Sequence, residues 1–160
     1  MPRSSFKSSP DAEARTLLLV HAFTRPSAGL EGRTKLAKLD FLLRYPTFLR
    51  RALAVKRPDE PWPSEAEEDV GAIDARMIRY RYGPWDPASF AVIGSLIGRG
   101  LITSLPGSHG YELRTTPLGA TLARRISEAP EWQATWARAQ VLAKHFNLTG
   151  HSLKNFIYEN

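Results

Sequence analysis

The stretch at residues 80–126, YRYGPWDPASFAVIGSLIGRGLITSLPGSHGYELRTTPLGATLARRI, contains the pattern that decides the fold. Its first part predicts a helix over residues 87–98, because Asp86 is suited to cap a helix that has proline at its first position. Gly100 is suited to the left-handed conformation that ends such a helix. The elements predicted next are a strand, a glycine-rich turn, a strand and a helix, at residues 101–105, 106–110, 111–115 and 118–126.

This order of elements is that of a winged helix-turn-helix core. The segments LIGRGLI at 96–102, GYEL at 110–113 and TPLG at 116–119 resemble the recognition helix and wing of winged-helix proteins. The resemblance implies a mostly α fold with a small β-hairpin, in which N- and C-terminal helices flank the winged core.

Apolar residues at helical spacing predict further helices on both sides of this core. They cover residues 11–24, 33–43, 46–55, 65–79 and a C-terminal stretch from 130, with a last short helix at 152–158. Residues 25–32 are predicted as a loop. The sequence thus predicts one compact domain with five parts. These are a disordered leader (1–10), basic N-terminal helices (11–57), a proline-rich loop (58–64), the winged-helix core (65–128) and an aromatic C-terminal helix with a docking tail (129–160).

Length and composition exclude several classes of protein. The chain has 160 residues, which suits a single core, and it contains no cysteine, so disulfides and cysteine-ligated metals are excluded. No apolar run is long enough to span a bilayer. The first residues, MPRSSFK, lack the apolar stretch of a signal peptide, so a cytoplasmic location is expected.

The charge is unevenly distributed along the chain. The net charge is +6, yet six acids and no base lie in residues 59–69, and the first 57 residues carry 12 Lys/Arg against 4 Asp/Glu. Such a balance suits an anionic partner, and double-stranded DNA held at its backbone without sequence specificity is the obvious one. The candidate backbone contacts are Arg33, Lys35, Lys38, Arg44, Arg50, Arg51, Arg76, Arg79 and Arg81.

The predicted recognition helix argues against base readout. Residues 87–98 read PASFAVIGSLIG and contain no basic or amide side chain, whereas sequence readers present Arg, Lys, Asn or Gln to base edges. An apolar surface at this position favours a protein partner. The aromatic candidates for partner contact are Trp85, Phe90, Trp132, Trp136, Phe156 and Tyr158.

No set of residues with catalytic or metal-ligating spacing is present. The four histidines (His21, His109, His145 and His151) stand apart in sequence, and neither a P-loop nor a GxGxxG motif occurs. The sequence therefore predicts a non-enzymatic protein without catalytic residues, metal or cofactor. An enzyme with a site assembled from scattered acids such as Glu67 and Asp69 is the weaker alternative.

Three further stretches carry a closer resemblance: GRTKLAKLDFLLRYP at 32–46, ARMIRYRYGPWD at 75–86 and HFNLTGHSLKNFIY at 145–158. Together with the winged segment, they resemble the middle component of bacterial ABC-type three-component conflict systems, the group that includes the Lamassu anti-phage systems. The resemblance implies an accessory subunit that bridges or regulates an SMC/Rad50-like ATPase and a separate effector, often a nuclease. It carries no catalytic motif over to this chain.

A second class of function remains open, namely a winged-helix transcriptional regulator or antitoxin. The motifs KLAKL at 35–39 and YRYGPW at 80–85 resemble the SocA-like antitoxin domain, although the helices around them fit that domain less well. A regulator of this kind would bind an operator as a dimer. The missing base-reading side chains on residues 87–98 count against it.

Overall fold

The computed structural model describes residues 9–66, 89–107 and 110–147. Helices dominate these ranges, and a small antiparallel sheet accompanies them, which confirms the predicted mostly α fold with a β-hairpin. In chain order the elements are α1 (Pro10–Phe23), β1 (Leu30–Glu31), α2 (Arg33–Arg44), α3 (Pro46–Lys56), a 3₁₀ turn (Ser64–Ala66), α4 (Ser89–Gly98), β2 (Ile102–Gly107), β3 (Gly110–Thr115), α5 (Pro117–Glu128), a second 3₁₀ turn (Pro130–Trp132) and α6 (Gln133–His145).

The sheet has three strands in the order β1-β3-β2, all antiparallel. The hairpin of β2 and β3 pairs from Ile102 opposite Thr115 to Gly107 opposite Gly110. On the other side of β3, β1 pairs Leu30 with Leu113. The prediction of a plain loop over 25–32 was therefore wrong at β1. Two residues are too few to show a strand periodicity, and the pairing depends on a partner more than 80 positions away.

In the winged-helix arrangement, a strand between the first two helices pairs with the second strand of the hairpin. β1 lies between α1 and α2 and pairs with β3 in this way. α4 precedes β2 directly, so α4 occupies the position of the recognition helix in that arrangement. The first helix and β1 are thus part of the same sheet-and-helix unit as the wing. This places α1 between the sheet and the C-terminal helix α6, both of which it contacts.

The core is continuous and aliphatic. The predicted buried faces of α2 and α3 are confirmed, since Leu36, Leu39, Leu42 and Leu43 and then Phe48, Leu49, Ala52 and Leu53 are buried. α1 contributes four consecutive buried residues, Leu17–Val20, because it is covered on more than one side by α4, α5 and α6. α6 adds Ala139, Val141 and Leu142, and Phe146 just beyond it is fully buried.

Local chemistry sets the helix ends as expected. Ser9 Oγ accepts a hydrogen bond from Ala12 N at 3.2 Å, and Pro10 is the first residue of α1. Gly100 has φ +74°, the left-handed conformation predicted after α4. At the start of α5, Thr116 Oγ1 accepts from Gly119 N at 3.0 Å and donates to Gly100 O at 2.7 Å. One threonine thus caps α5 and ties it to the end of α4.

Buried polar side chains join the helices. Arg138 on α6 is 2% exposed and donates from Nε to Leu43 O at 2.8 Å and from Nη1 to Ala66 O at 3.1 Å. It thereby satisfies a carbonyl at the end of α2 that has no helical partner. Asp40, also buried, accepts from Arg15 Nε at 2.8 Å, which joins α2 to α1.

Several predicted elements lie partly or wholly outside the described residues. The helix predicted over 65–79 is described only at its start, where Ser64–Ala66 is a 3₁₀ turn. The start of the helix predicted from Pro87, the tip of the wing and the helix predicted over 152–158 fall outside as well. Of the leader predicted as disordered over 1–10, residues 1–8 lie outside the described ranges, and the prediction was wrong for Ser9 and Pro10, because Ser9 caps α1 and Pro10 is its first residue. Among the described helices, none has the length and apolarity needed to cross a membrane.

Candidate interaction surfaces

The outer face of α4 is apolar and without charge. Phe90 is 48% exposed and Ile97 is 41% exposed, while Val92, Ile93 and Leu96 are buried on the opposite side. Phe90, Gly94, Ile97 and Gly98 follow the spacing i, i+4, i+7 and i+8, so they form one stripe along the helix. We call this stripe the α4 face. Apart from the backbone of α4 itself and the adjacent residues, no described atom lies within 4 Å of the position that a Cβ would take at Gly94 or Gly98.

The α4 face has two physical consequences. Its glycines allow another backbone to approach closely, because no side chain keeps that backbone away. Its two large apolar residues remain in contact with water and would each gain on the order of 1 kcal/mol if a partner covered them. The described part of the helix, SFAVIGSLIG, contains no Arg, Lys, Asn or Gln, the side chains that give the strongest base-specific contacts.

A groove of about 300 Å³ lies beside α4, between the start of α1, the end of α4 and α5. Its lining is mainly aliphatic, and an ion pair between Arg99 Nε and Glu13 Oε1 at 3.1 Å lies at its edge. Leu122 lines the groove and is 37% exposed, and Leu118, one helical turn earlier, is 60% exposed. Exposed apolar surface therefore extends from α4 to α5.

The aromatic residues predicted to contact a partner do not form one surface among the described residues. Trp132 and Trp136 are partly buried and pack against the core. The Trp136 ring stacks on the His21 ring, with 5.8 Å between centroids and 24° between planes. Phe90 lies on the α4 face, more than 40 positions before the two tryptophans in the sequence. Trp85, Phe156 and Tyr158 lie outside the described residues.

The basic residues of α2 are engaged within the fold. Lys35, Lys38 and Arg44 are all partly buried. The Lys35 ammonium donates to Asn147 Oδ1 and lies 5.6 Å from the centre of the Phe23 ring. Burial lowers the pKa of Lys35, and nearby Glu31 opposes this shift. Of Arg33, the structure describes the backbone position at the start of α2.

The basic residues of α3 are presented to solvent. Arg50 and Arg51 are exposed, and each guanidinium lies over an aromatic ring, that of Trp62 at 5.9 Å and that of Phe48 at 5.6 Å. Stacking of this kind holds a guanidinium in place while its edge still faces water. Of the candidate backbone contacts whose side chains are described, these two are the exposed ones. Arg76, Arg79 and Arg81 lie outside the described ranges.

A further cluster, which sequence reasoning missed, surrounds His21 near the end of α1. The imidazole Nδ1 lies 3.2 Å from Thr115 Oγ1 at the end of β3. Burial lowers the pKa of His21, and the positive charges of Arg124 on α5 and Arg25 in the following loop lower it further. In sequence, Arg25 follows His21 by four residues, but nothing indicates that the charge of Arg124 also acts on this histidine. We refer to His21, Arg25 and Arg124 as the His21 cluster.

His145 also has a partner that is distant in sequence. Its Nε2 lies 3.6 Å from Glu60 Oε2, and Lys144 Nζ lies 3.7 Å from the same oxygen. The contact joins the end of α6 to the proline-rich loop. Within the described ranges, no three His, Asp or Glu side chains come together in a way that could hold a metal ion.

Comparisons with protein-family models, with curated proteins and with solved structures found no significant match to this chain.

Proposed function

We propose that the chain is a non-enzymatic accessory subunit that bridges or regulates an SMC/Rad50-like ATPase and its effector in a cytoplasmic anti-phage complex of bacteria. The observation that carries this proposal is the α4 face. A winged-helix protein that read DNA sequence would present polar side chains at this position, and here Phe90 and Ile97 are exposed beside two glycines.

The chemistry of the α4 face fits a protein partner better than a nucleic acid. A duplex presents mainly phosphates, sugars and polar base edges, and these gain little from contact with an uncharged apolar stripe. A partner helix with small or apolar residues gains both dispersion contact and hydrophobic burial there. The particular partner, an SMC-like ATPase subunit, comes from the sequence resemblance and is part of the proposal.

Co-expression of the chain with an SMC-like ATPase from the same genome, followed by affinity purification, tests the proposal. We expect the two proteins to co-purify and Ile97→Asp to abolish the complex, because a carboxylate on the α4 face would be desolvated by the partner. Val55→Asp is the matched control. Val55 is 55% exposed, but it lies on α3, so the complex should survive this change.

Two outcomes contradict the proposal. Survival of the complex with both Phe90 and Ile97 changed to Asp would remove the α4 face as the binding surface. Failure of the chain to bind the ATPase at all would remove the assigned role. Phe90→Ala and Ile97→Ala, which add no charge, should weaken the complex less than the Asp variants and should leave the fold intact.

The sheet order supports one other candidate, a winged-helix regulator or antitoxin that binds an operator. A wing and a helix at the recognition position are the parts that such a protein uses. Its test is a discrete footprint of the purified chain on DNA upstream of its own gene. A protected site whose loss follows single base changes would favour the regulator over the accessory subunit.

A further inference from the structure

A cavity of about 270 Å³ lies between the proline-rich loop and α6. Its apolar lining comes from Leu53 on α3, from Pro61 and Pro63 in the loop and from Val141 on α6. Sites for drug-sized ligands measure about 300–1,000 Å³, so this cavity suits a single long side chain better than a free cofactor. We call it the α6 cavity, and it shares no lining residue with the α4 face.

Contacts across the α6 cavity hold its two walls in place. Arg138 on α6 donates from Nη1 to Ala66 O at 3.1 Å, just beyond the loop. Further along α6, Lys144 Nζ and His145 Nε2 lie 3.7 Å and 3.6 Å from Glu60 Oε2 in the loop. The cavity is thus shaped before a ligand arrives, and binding there orders few additional groups.

The lining of the α6 cavity is rich in hydrogen-bond acceptors. Glu60 and Glu65 contribute carboxylates, and Gln140 contributes an amide oxygen. The side chain of His145 is only 7% exposed, and its contact with Glu60 is longer than a hydrogen bond. The His145 ring forms no hydrogen bond with another described residue. Because buried polar groups nearly always have a partner, this imidazole points to a ligand in the cavity that it lines.

The α6 cavity carries more negative than positive charge, in contrast to the chain as a whole. Hydrogen bonds from its own backbone N–H and from Ser64 Oγ lower the pKa of Glu65, so this carboxylate is ionised at neutral pH. Glu60 and Glu65 belong to residues 59–69, which contain six acids and no base in a chain of net charge +6. Lys144, a cation in the lining, is 69% exposed and so extends toward solvent. The cavity therefore attracts a cation that brings hydrogen-bond donors.

We propose that the α6 cavity binds an arginine side chain of a partner protein, with the guanidinium on Glu60 and the methylene groups against the two prolines and Val141. A guanidinium offers five N–H donors and no acceptor, and it gives two parallel hydrogen bonds to one carboxylate. Its aliphatic stem covers apolar surface while the charged end keeps polar partners. One residue type thus matches both the acceptors of the cavity and its apolar wall.

Lys144 has a defined part in this proposal. Its ammonium lies 3.7 Å from the Glu60 oxygen that the guanidinium would approach, so the two cations compete for this carboxylate. The arriving arginine displaces Lys144 into solvent, where most of its side chain already lies. The proposal goes beyond the proposed function and rests on it only in taking the partner to be a protein.

NMR of the isotope-labelled full-length chain tests the cavity with two end-capped peptides that differ in one residue. Both read Gly-Ser-Leu-X-Leu-Ser-Gly, where X is arginine in one peptide and its uncharged isostere citrulline in the other. We expect the arginine peptide to shift the resonances of the His145 ring and the Val141 methyl groups. It should bind on the order of 10-fold more tightly than the citrulline peptide, as a hydrogen bond between charged groups would give. Equal affinities, or no binding of either peptide, would overturn the proposal.

Three variants assign the binding to Glu60. Glu60→Gln should weaken binding of the arginine peptide on the order of 10-fold. Lys144→Met should strengthen it, because the competing ammonium is gone, whereas a merely structural contact between Lys144 and Glu60 predicts no gain. Glu128→Gln is the matched control, since it removes one exposed acid from α5 and should leave the affinity unchanged. A loss with Glu128→Gln equal to that with Glu60→Gln, or no gain with Lys144→Met, would contradict the assignment. The Glu60 and Lys144 side chains are 33% and 69% exposed, so the variants should fold, and circular dichroism checks this.

Free arginine distinguishes a protein side chain from a small molecule. Its own carboxylate is repelled by Glu60 and Glu65, so we expect it to bind more weakly than the peptide. Free arginine that binds as tightly as the peptide would identify a small-molecule site and would overturn the assignment to a protein partner. The ATPase is absent from these experiments, so their failure would leave the interaction through the α4 face unaffected. Conversely, Ile97→Asp should leave the affinity for the arginine peptide unchanged.

Discussion

Gly119 and Gly94 provide a paired test of the packing between the wing and α5. Both glycines are helical, and intrinsic propensity alone predicts that alanine at either position stabilises the protein by about 0.5–1 kcal/mol. The tertiary structure separates the two cases. A Cβ at Gly119 would lie 1.8 Å from Leu101 O and 2.8 Å from Leu101 C. At Gly94, no described atom beyond the helix's own backbone and the adjacent residues lies within 4 Å of a Cβ.

The expected cost of Gly119→Ala can be estimated from these contacts. The obstructing atoms belong to the backbone, so α5 and the start of β2 must separate by at least about 1 Å, a strain that typically costs 1–3 kcal/mol. The separation also weakens two bonds across the contact, Thr116 Oγ1 to Gly100 O at 2.7 Å and Thr116 N to Leu101 O at 3.0 Å. At about 1 kcal/mol each, the net loss after the propensity gain is about 3 kcal/mol.

Urea denaturation followed by circular dichroism measures both variants. We expect Gly119→Ala to lower the free energy of unfolding by about 3 kcal/mol and to lower Tm by about 10 °C, while Gly94→Ala raises the stability slightly. Equal m-values would show that both variants unfold from the same compact state. A Gly119→Ala protein as stable as the unchanged chain would refute the close approach of α5 to Leu101.

Three further changes test the polar contacts of the fold. Arg138→Met should lower the free energy of unfolding by about 3 kcal/mol, measured in urea, because it leaves the Leu43 and Ala66 carbonyls without their buried donor. Thr24→Val should cost about 1–2 kcal/mol in the same assay, since Thr24 Oγ1 accepts from Thr115 N at 3.1 Å and donates to Val20 O at 2.8 Å. His21 has a lowered pKa in the folded state, so the unfolded chain binds the proton first and the protein loses stability as the pH falls through 6.5 and on through the folded-state pKa. Unfolding at pH 7.5 and at pH 5 should show a smaller loss for His21→Gln than for the unchanged chain, and an equal loss would contradict the burial of this imidazole.

The candidate surfaces were predictable to different degrees. The apolar character of α4 is evident from the sequence, because ten consecutive residues without charge leave no doubt about its chemistry. Which side of α4 is buried is not evident from the sequence, because apolar residues occur on both sides. Packing against α1 and β2 buries Val92 and Leu96 and leaves Ile97 exposed. For the basic residues, too, the sequence does not indicate which side chains are exposed. Lys35 and Arg51 both lie on amphipathic helices, and neighbouring elements partly bury Lys35 and leave Arg51 exposed.

The sequence by itself determined the described helices α1 to α6 and the hairpin of β2 and β3, because helical spacing, capping residues and turn-forming glycines act over a few residues. Only the tertiary structure decided the contacts between distant segments: β1 on β3, Arg138 on two carbonyls of other elements, and the stacking of Trp136 on His21. The physical reason is the range of the interactions involved. Hydrogen bonds and charges between residues up to about a hundred positions apart depend on how the helices pack, and no local pattern of residues encodes that packing.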